Sequence, residues 1–179
     1  MDIDHFSPEL IARARGIKLL VLDVDGVLSD GKLYMGNDTE PFKAFNSLDG
    51  HGIKMLIASK VNVAIITGRT SHIVTRRAAD LGISHVIQGR EDKLSALTEL
   101  EAAFDLKYPD IAFMGDDYPD LPVIRRVGLG ITPANGHWIV KQHAHWQSQY
   151  TGGNGAVREA CDLLMLAQGT FDTALAPYL

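Results

Sequence analysis

The 179-residue sequence has little of several features that mark other classes of protein. It contains one cysteine, Cys161, so an internal disulfide framework is excluded and a reducing compartment, the cytoplasm, is expected. No apolar run approaches the roughly 18 residues that a membrane-spanning helix needs, and the N-terminus lacks the basic and apolar segments of a signal peptide. A net charge of -5 without a basic stripe disfavours binding to nucleic acid.

What the sequence does contain is the alternation typical of an α/β fold. Segments of helical length and period separate five strand-like runs, which are LLVLDVDG, NVAIITGR, SHVIQG, DIAFMGDD and GLGIT. A last helix is expected to start near residue 155 and to end at Gly169. Strands that alternate with helices predict βαβ units and a mainly parallel sheet. The length and the lack of repeats or linkers predict a single domain over residues 1–179.

One segment interrupts this alternation. Residues 31–46, GKLYMGNDTEPFKAFN, contain two β-like runs on either side of the turn-forming GNDTEP. The pattern predicts a β-hairpin inserted after the first strand. Its strands carry more apolar side chains than an isolated two-stranded ribbon can bury.

The first strand ends in an unusual pair of carboxylates. Asp23 and Asp25 follow the apolar run at 19–22, and side chains two positions apart on an extended segment can face the same spot. Two like charges this close repel each other unless a cation or a shared proton relieves the repulsion. The pair therefore predicts a bound metal, a shared proton, or both.

Other strand ends, and one helix start, carry polar groups that would meet this pair in a parallel sheet. Ligand sites of open α/β sheets lie beyond the carboxyl ends of the strands. Each group alone has a simpler meaning, such as a helix cap at Asp120 or a solvated charge at Lys93. Their order along the chain nevertheless predicts a common site. These groups are Thr67, Lys93, Asp116, Asp117 and Asp120.

The chemistry that fits these groups is phosphoryl transfer through an aspartyl-phosphate. A carboxylate is an accepted nucleophile for phosphoryl groups, and Mg²⁺ held by Asp23 and Asp116 would reduce the repulsion between the two anions. A Thr hydroxyl and a Lys ammonium can hold the phosphate oxygens. Asp25 is placed to protonate the leaving alkoxide and then to deprotonate the attacking water.

The ordered set DxDGV, TGR, Lys and GDDxxD resembles the motifs of the haloacid dehalogenase superfamily of phosphohydrolases. The similarity is closer still to the 3-deoxy-D-manno-octulosonate 8-phosphate phosphatase family and covers roughly residues 18–169. It rests on YMGN, KAFN, DGHGIK, GDDYPDLPV and GGNGAVREACDLLMLAQG. The resemblance implies a Rossmann-like three-layer α/β sandwich with a small β-hairpin flap instead of a cap domain.

The resemblance also implies roles for the polar groups. Asp23 would be the nucleophile and, with Asp116, a ligand of Mg²⁺. Asp25 would be the acid/base and a further ligand through its backbone carbonyl. Thr67 and Lys93 would hold the phosphoryl group, which completes the catalytic set.

Further positions carry over from the resemblance as support for the metal or as contacts to the substrate. Asp117 and Asp120 would support the metal from its outer shell. The substrate contacts would be Asp25, Asn46, Ser47, Leu48, Asp49, Gly50, Lys54, Arg69, Arg77 and Lys93. Lys54 stands where the family more often has Arg, and since lysine cannot make a planar two-point contact, weaker binding of a carboxylate is expected there. Lys60 stands where relatives carry an acid, and the sequence assigns it no role.

The function that the resemblance implies is Mg²⁺-dependent hydrolysis of a small sugar-acid phosphate, 3-deoxy-D-manno-octulosonate 8-phosphate, in lipopolysaccharide core sugar biosynthesis. It implies a cytoplasmic homotetramer in which hairpins of several subunits pack together, with no nucleic-acid or membrane partner. A phosphatase for another keto-sugar acid phosphate, such as a nonulosonate 9-phosphate, is the nearest alternative. A phospho-receiver signalling domain is disfavoured, because its acceptor follows the third strand, which here ends in VIQG. A catalytically idle binding module is disfavoured because every reactive position is present.

Overall fold

The computed structural model describes residues 3–36 and 42–179. The strands in this part of the chain are β1 (Leu19–Leu22), β2 (Asn62–Ile66), β3 (His85–Ile87), β4 (Ile111–Met114), β5 (Leu129–Thr132) and β6 (Trp146–Gln147). They form one sheet in the order β3-β2-β1-β4-β5-β6, and every neighbouring pair is parallel. The mainly parallel sheet that the sequence predicts is confirmed, as are its five strands.

Helices of the described residues cover both faces of this sheet. They are α1 (Pro8–Arg15), α2 (Ser47–Ala58), α3 (His72–Leu81), α4 (Lys93–Phe104), α5 (Leu121–Ile124), α6 (Trp138–His143), α7 (Ala156–Ala167) and α8 (Phe171–Leu175). The helix expected between residue 155 and Gly169 is confirmed as α7. No helix in these ranges has the length and apolar character to cross a membrane.

Two apolar cores, one on each face of the sheet, give the molecule its three layers. Leu20 and Leu22 of β1 pack with side chains of α1, α2, α3 and α7, whereas Leu19 and Val21 pack with side chains of α4, α5 and α6. None of these four strand residues has exposed surface, which is why β1 is apolar on both faces. The predicted three-layer α/β sandwich is therefore confirmed.

Three elements, α1, β6 and α8, lie outside the sequence predictions. The hydroxyl of Ser7 accepts a hydrogen bond from the N–H of Leu10 at 3.3 Å and caps α1, whose first residue is Pro8. Buried Leu10 and Ala14 then attach α1 to the core on the α7 side of the sheet. β6 spans two residues and α8 spans five, so neither is long enough to show a periodic pattern in the sequence.

The register of the sheet brings the polar strand ends together. Leu22, the last residue of β1, pairs with Ile65 of β2 and with Met114 of β4. The N–H of Asp23 then donates to the carbonyl of Met114 at 3.0 Å. The chain therefore leaves these three strands at the same edge of the sheet, where parallel α/β folds place their sites.

The segment predicted as a β-hairpin, here called the flap, is described at 31–36 and 42–46, while its predicted turn lies outside the described residues. The two arms meet where the rings of Tyr34 and Phe42 lie with their centroids 4.4 Å apart. Neither described arm forms a regular strand, so the prediction of a β-ribbon is corrected for these residues. The physical reason is that a two-stranded ribbon alone has too little buried surface to stabilise its ladder.

Candidate active site at the carboxyl edge of the sheet

The loop that follows β1 is shaped by Gly26. Residues Val24–Leu28 form one wide helical turn, in which Gly26 has φ 98°, a conformation that residues with a Cβ rarely adopt. A Cβ at this position would lie 2.1 Å from Oδ2 of Asp116, which follows β4. Gly26 thus lets the chain turn directly after Asp23 and Asp25, and it lets the carboxylate of Asp116 lie against that turn.

Lys93, the first residue of α4, is buried between two carboxylates. Its ammonium lies 2.8 Å from Oδ1 of Asp23 and 2.6 Å from Oδ1 of Asp120. Only 5% of the Lys93 side chain, 8% of Asp23 and 1% of Asp120 is exposed. The simpler reading of Lys93 as a solvated charge is therefore wrong.

Asp120 also organises the loop after β4. Its Oδ2 accepts hydrogen bonds from the backbone N–H of Asp116 at 2.9 Å and from that of Asp117 at 3.2 Å. Asp117 itself is exposed, and its carboxylate accepts a hydrogen bond from the N–H of Tyr118 at 2.8 Å. The Asp120 carboxylate thus holds the turn that precedes it and also holds Lys93. It caps no N–H group of α5, so the simpler interpretation of Asp120 as the cap of that helix is wrong.

Three carboxylates are close enough to share one metal ion. Ligand oxygens of Asp23, Asp116 and Asp120 all lie within 4.8 Å of one another. We call these three residues, together with Lys93, the carboxylate cluster. Lys93 offsets only part of their negative charge, and an all-oxygen donor set with excess negative charge fits Mg²⁺. The predicted ligands Asp23 and Asp116 are therefore brought together, and Asp120 joins them.

Burial and charged neighbours shift the pKa values of Asp23, Asp116 and Lys93. Burial, and then the like charge of Asp120, raises the pKa of Asp23 to about 7. Burial, and then Asp23 and Asp120, raises the pKa of Asp116 to about 7. Burial alone would lower the pKa of Lys93, but the two carboxylates beside it outweigh burial and raise it. A divalent cation at this place would relieve the repulsion between carboxylates that adds to burial in raising these two acid pKa values.

An open cleft of about 800 Å³ lies over the carboxylate cluster. Thr67 and Arg69, in the loop after β2, line it together with Asp23, Asp25 and Lys93. Thr67 is buried, and its hydroxyl accepts a hydrogen bond from the N–H of Arg69 at 3.4 Å. The structure thus brings the four predicted catalytic residues into one cleft, although they come from three different parts of the chain.

Asp25 lines the cleft but pairs with a residue of the flap. The ammonium of Lys43 forms a short ion pair with Oδ1 of Asp25, and the Lys43 side chain is 3% exposed. Sequence reasoning missed Lys43 because 18 positions and an irregular arm separate it from Asp25. The available signal was a lysine between Phe42 and Phe45, since a charge inside an apolar run usually has a partner.

The remaining predicted substrate contacts lie outside this cleft, and two of them hold the start of α2. Asn46 accepts a hydrogen bond from the N–H of Leu48 at 2.8 Å and donates to the carbonyl of Gly153 at 3.3 Å. Arg77 donates to the carbonyl of Asn46 at 3.3 Å, and its guanidinium lies 5.7 Å from the ring centroid of Phe45. In a single chain, the Asn46 side chain therefore joins the start of α2 to the loop before α7, and the Arg77 side chain joins α3 to the end of the flap.

The other predicted contacts lie on α2 itself. Gly50 is buried against Arg77, since a Cβ there would lie 2.2 Å from the guanidinium. Ser47 and Leu48 are exposed at the start of the helix. Lys54 lines a separate cavity of about 610 Å³ between α2 and the C-terminal residues. Of the predicted substrate set, Asp25, Arg69 and Lys93 thus line the cleft of their own chain.

Asp49 joins α2 to α7. Its carboxylate accepts hydrogen bonds from the N–H of Arg158 at 2.8 Å and from that of Gly155 at 3.4 Å. Burial raises the pKa of Asp49, although these hydrogen bonds oppose the rise. Within the chain, Asp49 thus caps the first turn of α7.

The glycines before α7 support the loop after β1. A Cβ on Gly152 would lie 1.7 Å from the carbonyl oxygen of Gly26, so only a glycine permits this approach. The N–H of Gly153 donates to the carbonyl of Val27 at 2.8 Å. The GGNG motif is therefore packed directly against the turn that follows Asp23 and Asp25.

Known proteins are similar to this chain in sequence and in fold. A family model described as haloacid dehalogenase-like hydrolase matches residues 78–159. The chain is 48% identical over 168 residues to the 3-deoxy-D-manno-octulosonate 8-phosphate phosphatase KdsC of Escherichia coli K12, across 94% of this chain and 89% of that protein.

Two solved structures extend the comparison. The 3-deoxy-D-manno-octulosonate 8-phosphate phosphatase of Yersinia pestis has a TM-score of 0.91 at 47% identity, covering 93% of this chain and 90% of that one. The corresponding phosphatase of Moraxella catarrhalis, solved in complex with a magnesium ion, a phosphate ion and a KDO molecule, has a TM-score of 0.94 at 43% identity. That match covers 97% of this chain and 100% of the other.

The motifs, the fold and the relatives agree. The resemblance inferred from the ordered motifs is confirmed by a relative that is 48% identical over nearly the full length of both proteins. The cluster of Asp23, Lys93, Asp116 and Asp120 stands at the sheet edge where those motifs meet. The chain therefore belongs to the 3-deoxy-D-manno-octulosonate 8-phosphate phosphatase family of haloacid dehalogenase-like hydrolases.

Proposed function

We propose that the chain is a Mg²⁺-dependent phosphatase that hydrolyses 3-deoxy-D-manno-octulosonate 8-phosphate to 3-deoxy-D-manno-octulosonate and phosphate. The observation that carries the proposal is the carboxylate cluster, in which Asp23 lies 2.8 Å from the buried ammonium of Lys93 within an open cleft. The identity to a relative named for this activity supports it, as does the relative that binds a magnesium ion, phosphate and KDO.

Asp23 is the nucleophile in this proposal. Its carboxylate oxygen attacks the phosphorus, the bond from phosphorus to the sugar oxygen breaks, and the phosphoryl group remains on Asp23 as an aspartyl-phosphate. Lys93 and the hydroxyl of Thr67 hold oxygens of the transferring group. Asp23, Asp116 and the backbone carbonyl of Asp25 would hold Mg²⁺, which when bound supplies positive charge between the carboxylate and the phosphate.

Asp25 is the acid/base. In the first step it gives a proton to the leaving sugar oxygen, so that a neutral alcohol leaves. In the second step it takes a proton from the water that attacks the phosphorus of the aspartyl-phosphate. Phosphate then leaves, the carboxylate of Asp23 is restored, and Asp25 is protonated again for the next turnover.

Recognition of the acid group is assigned to cations away from the phosphate. Arg69 lines the same cleft as Asp25, and its guanidinium can bind a carboxylate at two points. Arg77, Lys54 and residues 46–50 also belong to the proposed substrate set. Because they lie outside the cleft of their own chain, they would reach a substrate from a neighbouring subunit.

The proposed assembly is a homotetramer, closed through the flaps. Leu33, Met35 and Phe42 of the flap are 48%, 78% and 55% exposed, and contiguous exposed apolar side chains favour contact with another protein surface. A symmetric oligomer would cover them and complete each cleft. We further propose that residues 1–179 form one domain, and that the enzyme acts in the cytoplasm, on the path to the lipopolysaccharide core sugar.

One assay tests the proposed activity. Phosphate release is measured with 3-deoxy-D-manno-octulosonate 8-phosphate, a nonulosonate 9-phosphate and neutral sugar phosphates, with Mg²⁺ or with a chelator. We expect the highest kcat/KM for the first substrate and no release with the chelator. The competing function is hydrolysis of a nonulosonate 9-phosphate. Lys54 favours testing it, because a lysine in place of the family's more usual arginine can change which sugar acid is preferred. A preference for the nonulosonate phosphate would replace our assignment.

A further inference from the structure

Lys43 is a buried lysine for which the proposed reaction provides no role. Its side chain is 3% exposed, and its ammonium pairs with Oδ1 of Asp25, whose side chain is 20% exposed and lines the cleft. A buried ammonium is unfavourable unless a close partner compensates the loss of water. The contact therefore specifies where the second arm of the flap lies relative to the loop after β1.

The two residues of this ion pair belong to segments that differ in how closely the rest of the fold packs against them. Asp25 lies in the turn at Val24–Leu28, which Asp116 and Gly152 contact closely through Gly26. Lys43 lies in a flap arm that forms no regular strand among its described residues. The backbone of Asp25 is thus fixed by the fold, while the orientation of its carboxylate depends on a group that the flap supplies.

We propose that Lys43 is a positioning residue for Asp25. By holding one oxygen of the Asp25 carboxyl group, it directs the other oxygen, which carries the proton in the first step, toward the leaving oxygen of the substrate. A general acid acts only when its proton lies within hydrogen-bond reach of the acceptor, so a protonated carboxyl group that rotates freely is a poor acid. This inference rests on the proposed acid/base role of Asp25.

A second role for Lys43 is distinguishable from this one. A lysine that bound the phosphoryl group directly would assist every phosphomonoester, as Lys93 is proposed to do. A lysine that acts through Asp25 assists only those substrates whose leaving group needs a proton. An alkyl sugar phosphate has such a leaving group, whereas p-nitrophenyl phosphate leaves as a stable phenolate.

The experiment compares kcat for these two substrates in Lys43→Met, Lys43→Arg and wild-type protein. Since a general acid contributes about 10²- to 10⁴-fold, we expect Lys43→Met to lose roughly 30- to 100-fold on the sugar phosphate and less than about 5-fold on p-nitrophenyl phosphate. Lys43→Arg, which keeps a cation, should recover most of the loss. Lys32→Met is the matched control on the other arm, because Lys32 is 73% exposed and pairs with Asp30.

A double variant makes the test sharper. If Lys43 acts only through Asp25, Asp25→Asn with Lys43→Met should be no slower than Asp25→Asn alone. Losses that multiply, or a Lys43→Met variant that loses equally on both substrates, would overturn the inference. Lys43→Gln provides the same comparison if the methionine variant does not fold.

Failure of the proposed function gives a different result. Wild-type protein would then release no phosphate from the sugar-acid phosphate, and the comparison would move to any alkyl phosphate that it does hydrolyse. The ratio of alkyl to aryl losses still decides the role of Lys43, since the argument needs an alkoxide leaving group and no particular sugar.

Discussion

Asp23 and Asp25 lie two positions apart, yet their partners come from different parts of the molecule. Asp23 pairs with Lys93, at the start of a helix packed into the core. Asp25 pairs with Lys43 of the flap. A nucleophile has to hold its place beside the groups that bind the phosphate, whereas an acid/base has to meet different proton partners in two successive steps. The two environments suit the tasks proposed for Asp23 and Asp25.

Asp23→Asn should abolish activity and leave the fold intact. The amide keeps the shape of the carboxylate but removes the proposed nucleophile, so phosphate release should fall to background. The raised pKa of Asp23 means that its ionised form is unfavourable in the metal-free folded protein. Without Mg²⁺ at about pH 8, the variant should therefore melt no lower than the wild type. Asp80→Asn, at an exposed position of α3, is the control, and appreciable turnover by the Asp23 variant would contradict the covalent mechanism.

At the residue scale, sequence reasoning succeeded where side chains sit directly at strand ends. Asp23, Thr67 and Asp116 follow strands whose apolar runs are easy to recognise, and parallel strands end at one edge. The burial of Lys93 could be inferred only from the order of the motifs. The partnership of Lys43 with Asp25 could not be inferred, because nothing in an irregular flap fixes which of its residues faces the cleft.

Among the elements, the turn after β1 makes the strongest demands on the sequence. Gly26→Ala should cost at least about 1–2 kcal/mol of stability, because a left-handed conformation is unfavourable for alanine. The loss should be greater in practice, since the added Cβ would lie 2.1 Å from Oδ2 of Asp116. Gly16→Ala is the matched control, because it has φ -87° and a Cβ there has no neighbour within 4 Å. Denaturant unfolding with phosphate release checks both, and equal stability of the two variants would refute this account of the turn.

The link between α2 and α7 gives a second prediction at this scale. Asp49→Ala should destabilise the protein by about 1–2 kcal/mol, because the N–H groups of Gly155 and Arg158 lose their acceptor. Thermal unfolding measures this effect. A separate measurement of KM tests the proposed contact of Asp49 with the substrate. Unchanged stability with a raised KM would mean that Asp49 serves the substrate and contributes little to the fold.

Element prediction was most successful in the centre of the sheet and least successful at the ends of the chain. β1 has a strong apolar pattern because helices cover both of its faces. α7 has one because most of its residues are buried in the core. α1 depends on its cap at Ser7 and on tertiary contacts of three buried residues, which are weak signals in a single sequence. The flap failed as a β-ribbon because apolar alternation indicates a strand only where a partner strand or a core exists.

At the scale of the whole molecule, Mg²⁺ should stabilise the protein more as the pH rises. The pKa values of Asp23 and Asp116, raised to about 7, mean that the metal-free folded state binds protons that the unfolded state has released. The contribution of Asp23 and Asp116 to the stability of the metal-free protein therefore falls as the pH rises from about 4 to about 7. Mg²⁺ competes with these protons, so its shift of the melting temperature should be larger at about pH 8 than at about pH 5.5. A chelator should reverse the shift, and equal shifts at both pH values would contradict the proposed ligands.

Assembly is the second property of the whole molecule that can be tested. Met35→Asp with Phe42→Asp places charges on the most exposed apolar part of the flap. We expect light scattering to show a mass near four times 19.5 kDa for the wild type and a smaller species for the variant. Sugar-acid activity should fall with assembly, because the contacts outside the cleft would come from neighbours. A wild-type monomer with full activity at the same concentration would refute the tetramer.

The contact of Gly152 with Gly26 has a consequence for biosynthesis. The carboxylates after β1 leave the ribosome well before Gly152, the residue that backs their turn. Until that segment clears the exit tunnel, the turn lacks its support and α2 lacks the helix that Asp49 caps. A nascent chain thus displays its carboxylates without the geometry to use them, and the site is complete only once the segment around Gly152 has emerged and folded.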